Sequence, residues 1–376
     1  MSDMLLWDQT LFRNSQYFEL DYVPEFFLAR DSQMQALKFS VAPALRGARP
    51  LNCLCTGPPG TGKTTAVHKL FKELNKHTSE IVTIHINCQF NPTRYTVFAE
   101  IYKTLTKHRP PSSGVSFKRI FDHVVDHLVE NGKTLIVALD DMNYLFNEGE
   151  VNHVLYSLLR AHETNPGLRL SVIGILSDTG ASTSYRLDPK AYSVFLPEEI
   201  EYPRYTYNEI RNILTTRVEK GFYPNVVSDD VIDLVTSHTD KMGDLRVGID
   251  MLKRAGLNAE RRSSKTIEED DVDKAYEKSK LLHLARLLSN VKGSERDLLK
   301  AIAKQSAEIG DKDISSGELY KVFSTATNLG YTRYYELLNK LETAQLVHMD
   351  FTGLGQRGRT RIITLSYDGD EILKQM

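Results

Sequence analysis

Gly57-Pro58-Pro59-Gly60-Thr61-Gly62-Lys63-Thr64 fits the pattern G-x-x-x-x-G-K-[ST]. Glycines let the backbone curl so that successive N–H groups face one hollow. That hollow lies at the N-terminus of the next helix, where phosphates are held. Lys63 would reach the β- and γ-phosphates of a bound triphosphate, and the Thr64 hydroxyl would ligate Mg2+. The flanks agree with this reading. Leu51-Asn52-Cys53-Leu54-Cys55 has the character of a buried strand, and Thr65-Ala66-Val67-His68-Lys69-Leu70-Phe71 opens an amphipathic helix. Gly57 to Thr65 are therefore the candidate phosphate cradle.

At 376 residues the chain has room for two or three domains. Apolar residues make up 41%, enough for real cores, and the formal net charge is only −2. No global basic field announces nucleic acid, so any such contact must come from local patches. Three cysteines, Cys53, Cys55 and Cys88, form no disulfide framework and suit a reducing compartment. Cys53 and Cys55 share one face of the expected strand, which favours core packing over metal binding. No apolar run is long enough to span a bilayer and no signal peptide heads the chain. The expectation is a soluble, intracellular protein with no membrane contact.

Residues 51–200 alternate short apolar strands with helices, the signature of a parallel sheet covered on both faces. Strands are expected at 51–55, 81–87, 134–139 and 169–175, and helices at 32–45, 95–107, 116–130 and 150–163. From about 203 the pattern turns all-helical. Ser228 reads as an N-cap, and Thr266 with Glu269 as a capping box for a helix running to Leu288. Residues 294–307, 315–326 and 332–344 read as three short helices. Two strands around a Gly/Arg turn follow, which spells a winged helix-turn-helix. The expected division is 1–202, with an insertion near 88–116, then 203–286 and 287–376.

The strand at 134–139 runs into Asp140-Asp141. An apolar strand ending in acid, downstream of a P-loop, is the Walker B arrangement. Asp140 would hold Mg2+, and Asp141 would orient or deprotonate the attacking water. In the helical region, Gly243-Asp244-Leu245-Arg246 places an arginine at a helix start, where it can turn toward a γ-phosphate.

The combination resembles AAA+ ATPases, and more narrowly archaeal initiators of the origin-recognition-complex and cell-division-cycle type. The residues that carry the resemblance begin with Tyr22-Val23-Pro24-Glu25 and Arg30 before the P-loop. Asp140-Asp141, Gly174 to Asp178, Tyr202 to Tyr205, Ile213 to Arg217 and Gly243 to Arg246 follow in order. The wing Gly358 to Ile363 completes the set. It implies an AAA+ sheet domain, an all-α lid and a C-terminal winged helix. It also implies that Val23 and Arg30 line the adenine side of the pocket, that Tyr205 and Arg217 close over the nucleotide, and that Arg246 is the sensor-2 arginine. Ser177 stands where the family usually carries the sensor-1 asparagine. Asp141 replaces the usual glutamate, and Lys190 stands where relatives often have arginine. Misplacement of about 1 Å can cost on the order of 100-fold in rate. The expectation is a weak, slow ATPase that works as a switch. Arg186 and Lys190 are weak candidates for an arginine finger.

Residues Ala285 to Met376 carry 13 Lys and Arg against 12 Asp and Glu, so basic charge acts there only where it is concentrated. The Gly353 to Arg361 tip carries Arg357, Arg359 and Arg361 with no acid, and a minor groove favours such arginines. Arg333, Tyr334 and Lys340 are candidate major-groove contacts. Arg94, Lys103 and Lys107 are candidates near the 88–116 insertion, which in the family presses on the duplex. The implied function is ATP-dependent recognition of double-stranded origin DNA, with help in loading the replicative helicase. A monomer in solution would assemble on DNA beside paralogous initiators. A nucleotide-gated transcription regulator and a clamp-loader-like assembly ATPase are the alternatives.

Overall fold

Hydrophobic runs at 134–140 and 169–176 are buried along nearly their whole length, as central strands of a two-sided sheet must be. The computed structural model describes residues 10–25, 27–111, 114–177, 187–289, 291–309, 314–327, 329–344, 346–351 and 361–376. Packing divides the chain into two bodies. One is Glu19–Arg217 with Thr239–Arg246; the other holds residues up to Phe18, Val218–His238 and Val247–Met376.

In the first body the order is α1 (Asp31–Val41), β1 (Cys53–Thr56), α2 (Lys63–His77), β2 (Ile81–Asn87), α3 (Arg94–Thr106), α4 (Phe117–Glu130) and β3 (Thr134–Asp140). Then come α5 (Asn143–Asn147), α6 (Val151–Leu159), α7 (Ala161–Thr164), β4 (Arg169–Leu176), α8 (Pro189–Phe195), β5 (Glu198–Glu201) and α9 (Tyr207–Gly221), whose last turn passes into the second body. The five strands are parallel and ordered β2-β3-β4-β1-β5. Leu54, Leu135, Val137, Leu139 and Val172 face one layer with α3, α4 and α6. Cys53, Cys55, Ile136, Ala138, Ile173 and Ile175 face the other with α1 and α2. The two strand cysteines are thus core residues. Burial pushes the Cys53 thiol up to about 11 and the Cys55 thiol higher still.

The expected helix at 150–163 breaks at Arg160. β5 and α8 are among the elements that escaped the sequence pattern. β5 reads Glu198-Glu199-Ile200-Glu201, and only Ile200 is buried, because it is the edge strand beside β1. Charged side chains on such an edge discourage pairing with another chain. α8 starts with Pro189 inside the first turn and Asp188 capping the Lys190 N–H at 2.9 Å.

The second body contains the rest of the helical region: α10 (Asp229–Met242) and α11 (Leu245–Arg261), each shared with the first body, and α12 (Glu269–Ser289). The Ser228 hydroxyl accepts from Val231 N–H, as an N-cap should. The start of α12 differs from expectation. Asp271, not Glu269, reaches back, accepting from Glu268 N–H at 3.0 Å, while its carboxylate is also paired with Arg262. The buried acid is the better box partner because it satisfies two donors at once. After α13 (Ser294–Ile309) come β6 (Ile314–Ser315), α14 (Ser316–Thr327), α15 (Tyr331–Thr343), β7 (Val347–Phe351), β8 (Arg361–Leu365) and α16 (Gly369–Gln375). The strands form one sheet ordered β6-β8-β7, so the three expected helices and both strands of the expected hairpin are present, with β6 and α16 in addition. Arg357 and Arg359 lie outside the described residues.

Candidate functional site

Because every strand of the main sheet is parallel, their C-terminal ends collect at one edge. Ligands in such folds bind in the crevice outside those ends. The P-loop leaves β1 there, Asp140 and Asp141 leave β3, and Ser177 follows β4. Register places Asn87, the last residue of β2, directly beside Asp140.

Lys63 is 5% exposed and folds back over its own loop. Its Nζ donates to the Gly57 and Pro58 carbonyls, both at 2.7 Å. Burial first, then the like charge of Arg246, pushes the Lys63 ammonium down to about 8, against the pull of Asp140. The Thr61 hydroxyl donates to Pro58 O at 2.9 Å and closes the turn. Gly60 has φ +75°, and a Cβ there would run into the carboxylate of Asp244. Only glycine lets the loop approach that acid.

Burial raises the Asp140 carboxyl, but His85, the Thr64 hydroxyl and the Asp141 N–H outweigh it and leave the group below its ordinary value. His85 Nε2 lies 2.9 Å from Asp140 Oδ2. The Thr64 hydroxyl and the Asp140 carboxylate are hard oxygen donors in hydrogen-bond contact, a set that fits Mg2+. Among the described residues no group of three His, Cys, Asp or Glu could hold a metal alone. Phosphate oxygens and water would have to complete the shell. Asp141 has φ +50°, an uncommon backbone for a non-glycine residue. Asn87 Nδ2 reaches its Oδ2 at 3.4 Å.

Arg246 forms a two-pronged pair with Asp244, Nε–Oδ1 2.9 Å and Nη2–Oδ2 2.7 Å. Asp244 is 1% exposed and also caps α11 by accepting from Arg246 N–H. Arg30 is buried and donates to Thr61 O at 3.0 Å, Ala29 O at 2.8 Å and Pro203 O at 2.6 Å. Its guanidinium stacks on Tyr205 at 3.8 Å. Arg217 lies over the Tyr22 ring at 4.7 Å, next to half-buried Val23. Beside the loop is a small cavity whose walls include Gly60, Thr61, Tyr205, Ile210, Asp240 and Leu245. The residues expected at the nucleotide site, from Val23 to Arg246, therefore lie in one body. His85, Asn87 and Asp244 join them unannounced. Only Asp244 left a local signal, an Asp two residues before an Arg at a helix start.

The expected DNA contacts are scattered. The Arg94 guanidinium lies over Phe117 at 4.1 Å, and Lys103 pairs with Glu100 at 2.8 Å. Arg333 pairs with Glu336 and Lys340 with Glu295, each at 2.7 Å, and Arg361 lies over Tyr335 at 4.6 Å. Tyr334 is a correction. It is fully buried, and its hydroxyl donates to Ser316 O at 3.0 Å, so it cannot face a duplex. It keeps step with Leu337, Leu338 and Leu341, the buried stripe of α15. Lys190 is exposed in the first turn of α8, and Arg186 lies outside the described residues.

A parallel sheet carrying a P-loop after its interior strand β1, paired acids at the end of β3 and an arginine-bearing helical segment defines an AAA+ ATPase fold. Models of an AAA ATPase domain match residues 27–173, of a Cdc6 AAA+ ATPase-type lid domain 211–277, and of a CDC6 C-terminal winged helix domain 288–375. The ORC1-type DNA replication protein 2 of Methanosarcina acetivorans is 54% identical over 99% of this chain and 98% of its own. The ORC1-type DNA replication protein 3 of Haloarcula marismortui is 46% identical over 99% of this chain and 98% of its own. The chain belongs to the family of ORC1-type DNA replication proteins. Its fold matches the Aeropyrum pernix ORC1 protein solved in complex with DNA, at a TM-score of 0.70 and 26% identity over 98% of this chain and 97% of that one. No helix among the described residues is long and apolar enough to cross a membrane.

Proposed function

We propose that this chain binds ATP or ADP with Mg2+ at the P-loop and uses the nucleotide state to govern its grip on double-stranded origin DNA. The observation that carries the reading is the meeting of Lys63, Asp140, Asp141 and Arg246 within one body. Thr64 and Asp140 would hold Mg2+, which when bound neutralises charge on the phosphate oxygens. Lys63 would exchange the loop carbonyls for phosphate. The cavity beside Tyr205 and Ile210 would take the base side of the nucleotide. DNA would meet the wing through Arg357, Arg359 and Arg361, α15 through Arg333 and Lys340, and the 88–116 segment through Arg94 and Lys103. Recruitment of the replicative helicase, assembly beside paralogous initiators and a cytoplasmic, nucleoid-associated location are part of the same proposal, and the family's place in DNA replication supports them. The relative from A. pernix, seen with DNA, supports the DNA reading.

Two groups that would act on the γ-phosphate already have other partners. Asp141 is within reach of Asn87, and Arg246 is clamped by Asp244. These contacts, with the short Asp141 and Ser177 side chains, support slow hydrolysis. Steady-state turnover should stay below about 1 s⁻¹. A faster rate in a phosphate-release assay would remove the switch.

Footprinting on origin DNA, with ATP and with ADP, tests the function. Wild type should protect the site differently in the two states. Arg359→Ala and Arg94→Ala should each lose part of the protected stretch. Unchanged protection in both variants would overturn the contact assignments, and identical ATP and ADP footprints would overturn nucleotide control.

A further inference from the structure

His85 stands on β2, and its in-register partner on β3 is Ala138. Paired residues in a sheet point to the same face, and residues two apart share it. His85 therefore faces the same layer as Ala138 and Asp140, the layer covered by α2. A carboxylate only accepts, so in the 2.9 Å contact with Asp140 Oδ2 the His85 Nε2 carries the proton and donates. His68 of α2 lies against His85, with ring centroids 4.2 Å apart and planes at 36°. The other donors to Asp140 are the Asp141 N–H, 3.0 Å from Oδ1, and the Thr64 hydroxyl. The carboxylate is thus restrained at both oxygens, and the restraint on Oδ2 includes a side chain from the neighbouring strand.

We propose that His85 is a positioning residue for the divalent metal. By holding Asp140 Oδ2 it fixes the carboxylate beside Thr64 and so sets the affinity of the nucleotide-bound site for Mg2+. His68 is the wall that keeps the His85 ring in place. This rests on the reading of Thr64 and Asp140 as the metal's protein donors. Without the donor on Oδ2 the carboxylate can turn, and binding the metal must then fix a rotor that is fixed beforehand in wild type. Loss of an outer partner of this kind typically costs about 10-fold or more in metal affinity.

The test is binding of a fluorescent ADP analogue by the full chain, with Mg2+ titrated from an EDTA-chelated start. His85→Phe keeps a ring against His68 but cannot donate. Its Mg2+ midpoint should rise about 10-fold, with affinity in EDTA unchanged. His85→Gln, whose amide can donate, should recover a large part of the shift. A His85→Phe midpoint within about twofold of wild type, less than the smallest typical loss, overturns the proposal. Should His85→Phe melt early, His85→Asn carries the test: it is polar and short of Asp140, and the same shift or its absence decides. If wild-type binding ignores Mg2+, the metal reading of Thr64 and Asp140 fails and the role of His85 falls with it. A Mg2+-dependent wild type with an unmoved His85→Phe midpoint removes His85 alone.

Discussion

Lys63→Ala should weaken ATP and ADP binding by about 100-fold to 1,000-fold. The ammonium is held by two loop carbonyls at 2.7 Å and is almost wholly buried. Those carbonyls are neutral acceptors, and burial keeps the group near 8, well under its usual value. A phosphate offers charged oxygens instead, and hydrogen bonds between charged groups are roughly twice as strong as neutral ones. Removing two such hydrogen bonds costs about 3–4 kcal/mol, which corresponds to the stated range. The same shift gives a pH dependence. Phosphate raises the pKa of the bound lysine above its value in the free site, so binding takes up a proton wherever the free lysine is neutral. Affinity should be flat well below pH 8 and fall as pH rises through 8, by up to about tenfold per unit. Fluorescence titration of wild type and Lys63→Ala at pH 7 and pH 9 reads both effects. A variant within threefold of wild type at pH 7 would mean that Lys63 does not touch the phosphates.

The P-loop, the acid-tipped strand and the helix-start arginine were legible because each is a local pattern whose chemistry depends on neighbours in sequence. Glycine spacing makes the cradle, a continuous apolar run makes a central strand, and both survive without knowledge of the tertiary fold. His85 and Asn87 were not legible, because their importance arises from pairing β2 with β3, about 50 residues away in the chain. Nothing near His85 in sequence says that it will sit two register steps from an acid. β5 failed for a related reason: an edge strand needs only one buried residue, and Ile200 among three glutamates carries no periodic signal. Tyr334 was the opposite case. Its helical phase with Leu337 and Leu341 was present in the sequence, and a flanking arginine drew the reading outward instead.

Arg30→Ala should cost about 4 kcal/mol of stability and lower the melting temperature of its body by roughly 10 °C. The resemblance assigns Arg30 to the adenine side of the pocket, but each of its three nitrogens already holds a backbone carbonyl. One nitrogen holds Thr61 of the P-loop, one its own turn at Ala29, and one Pro203 just after β5. The Tyr205 ring covers the remaining face at 3.8 Å. Truncation leaves three buried or partly buried carbonyls without this partner, at about 1–3 kcal/mol for each that water cannot reach. It also removes a desolvated cation–π contact of about 1–2 kcal/mol. Lysine is a poor substitute: a point charge cannot fork to three carbonyls and stack as well. Arg30→Lys should therefore recover less than half of the loss. Nucleotide affinity should fall with stability, because Thr61 and Pro203 lose their brace together. Calorimetry of wild type and both variants, with ATP and GTP titrations at a temperature where all are folded, separates brace from base contact. If Arg30 met the adenine ring, Arg30→Ala would melt close to wild type and lose its preference between ATP and GTP. If it is a brace, the melt moves by many degrees and the ratio of the two affinities stays where it was.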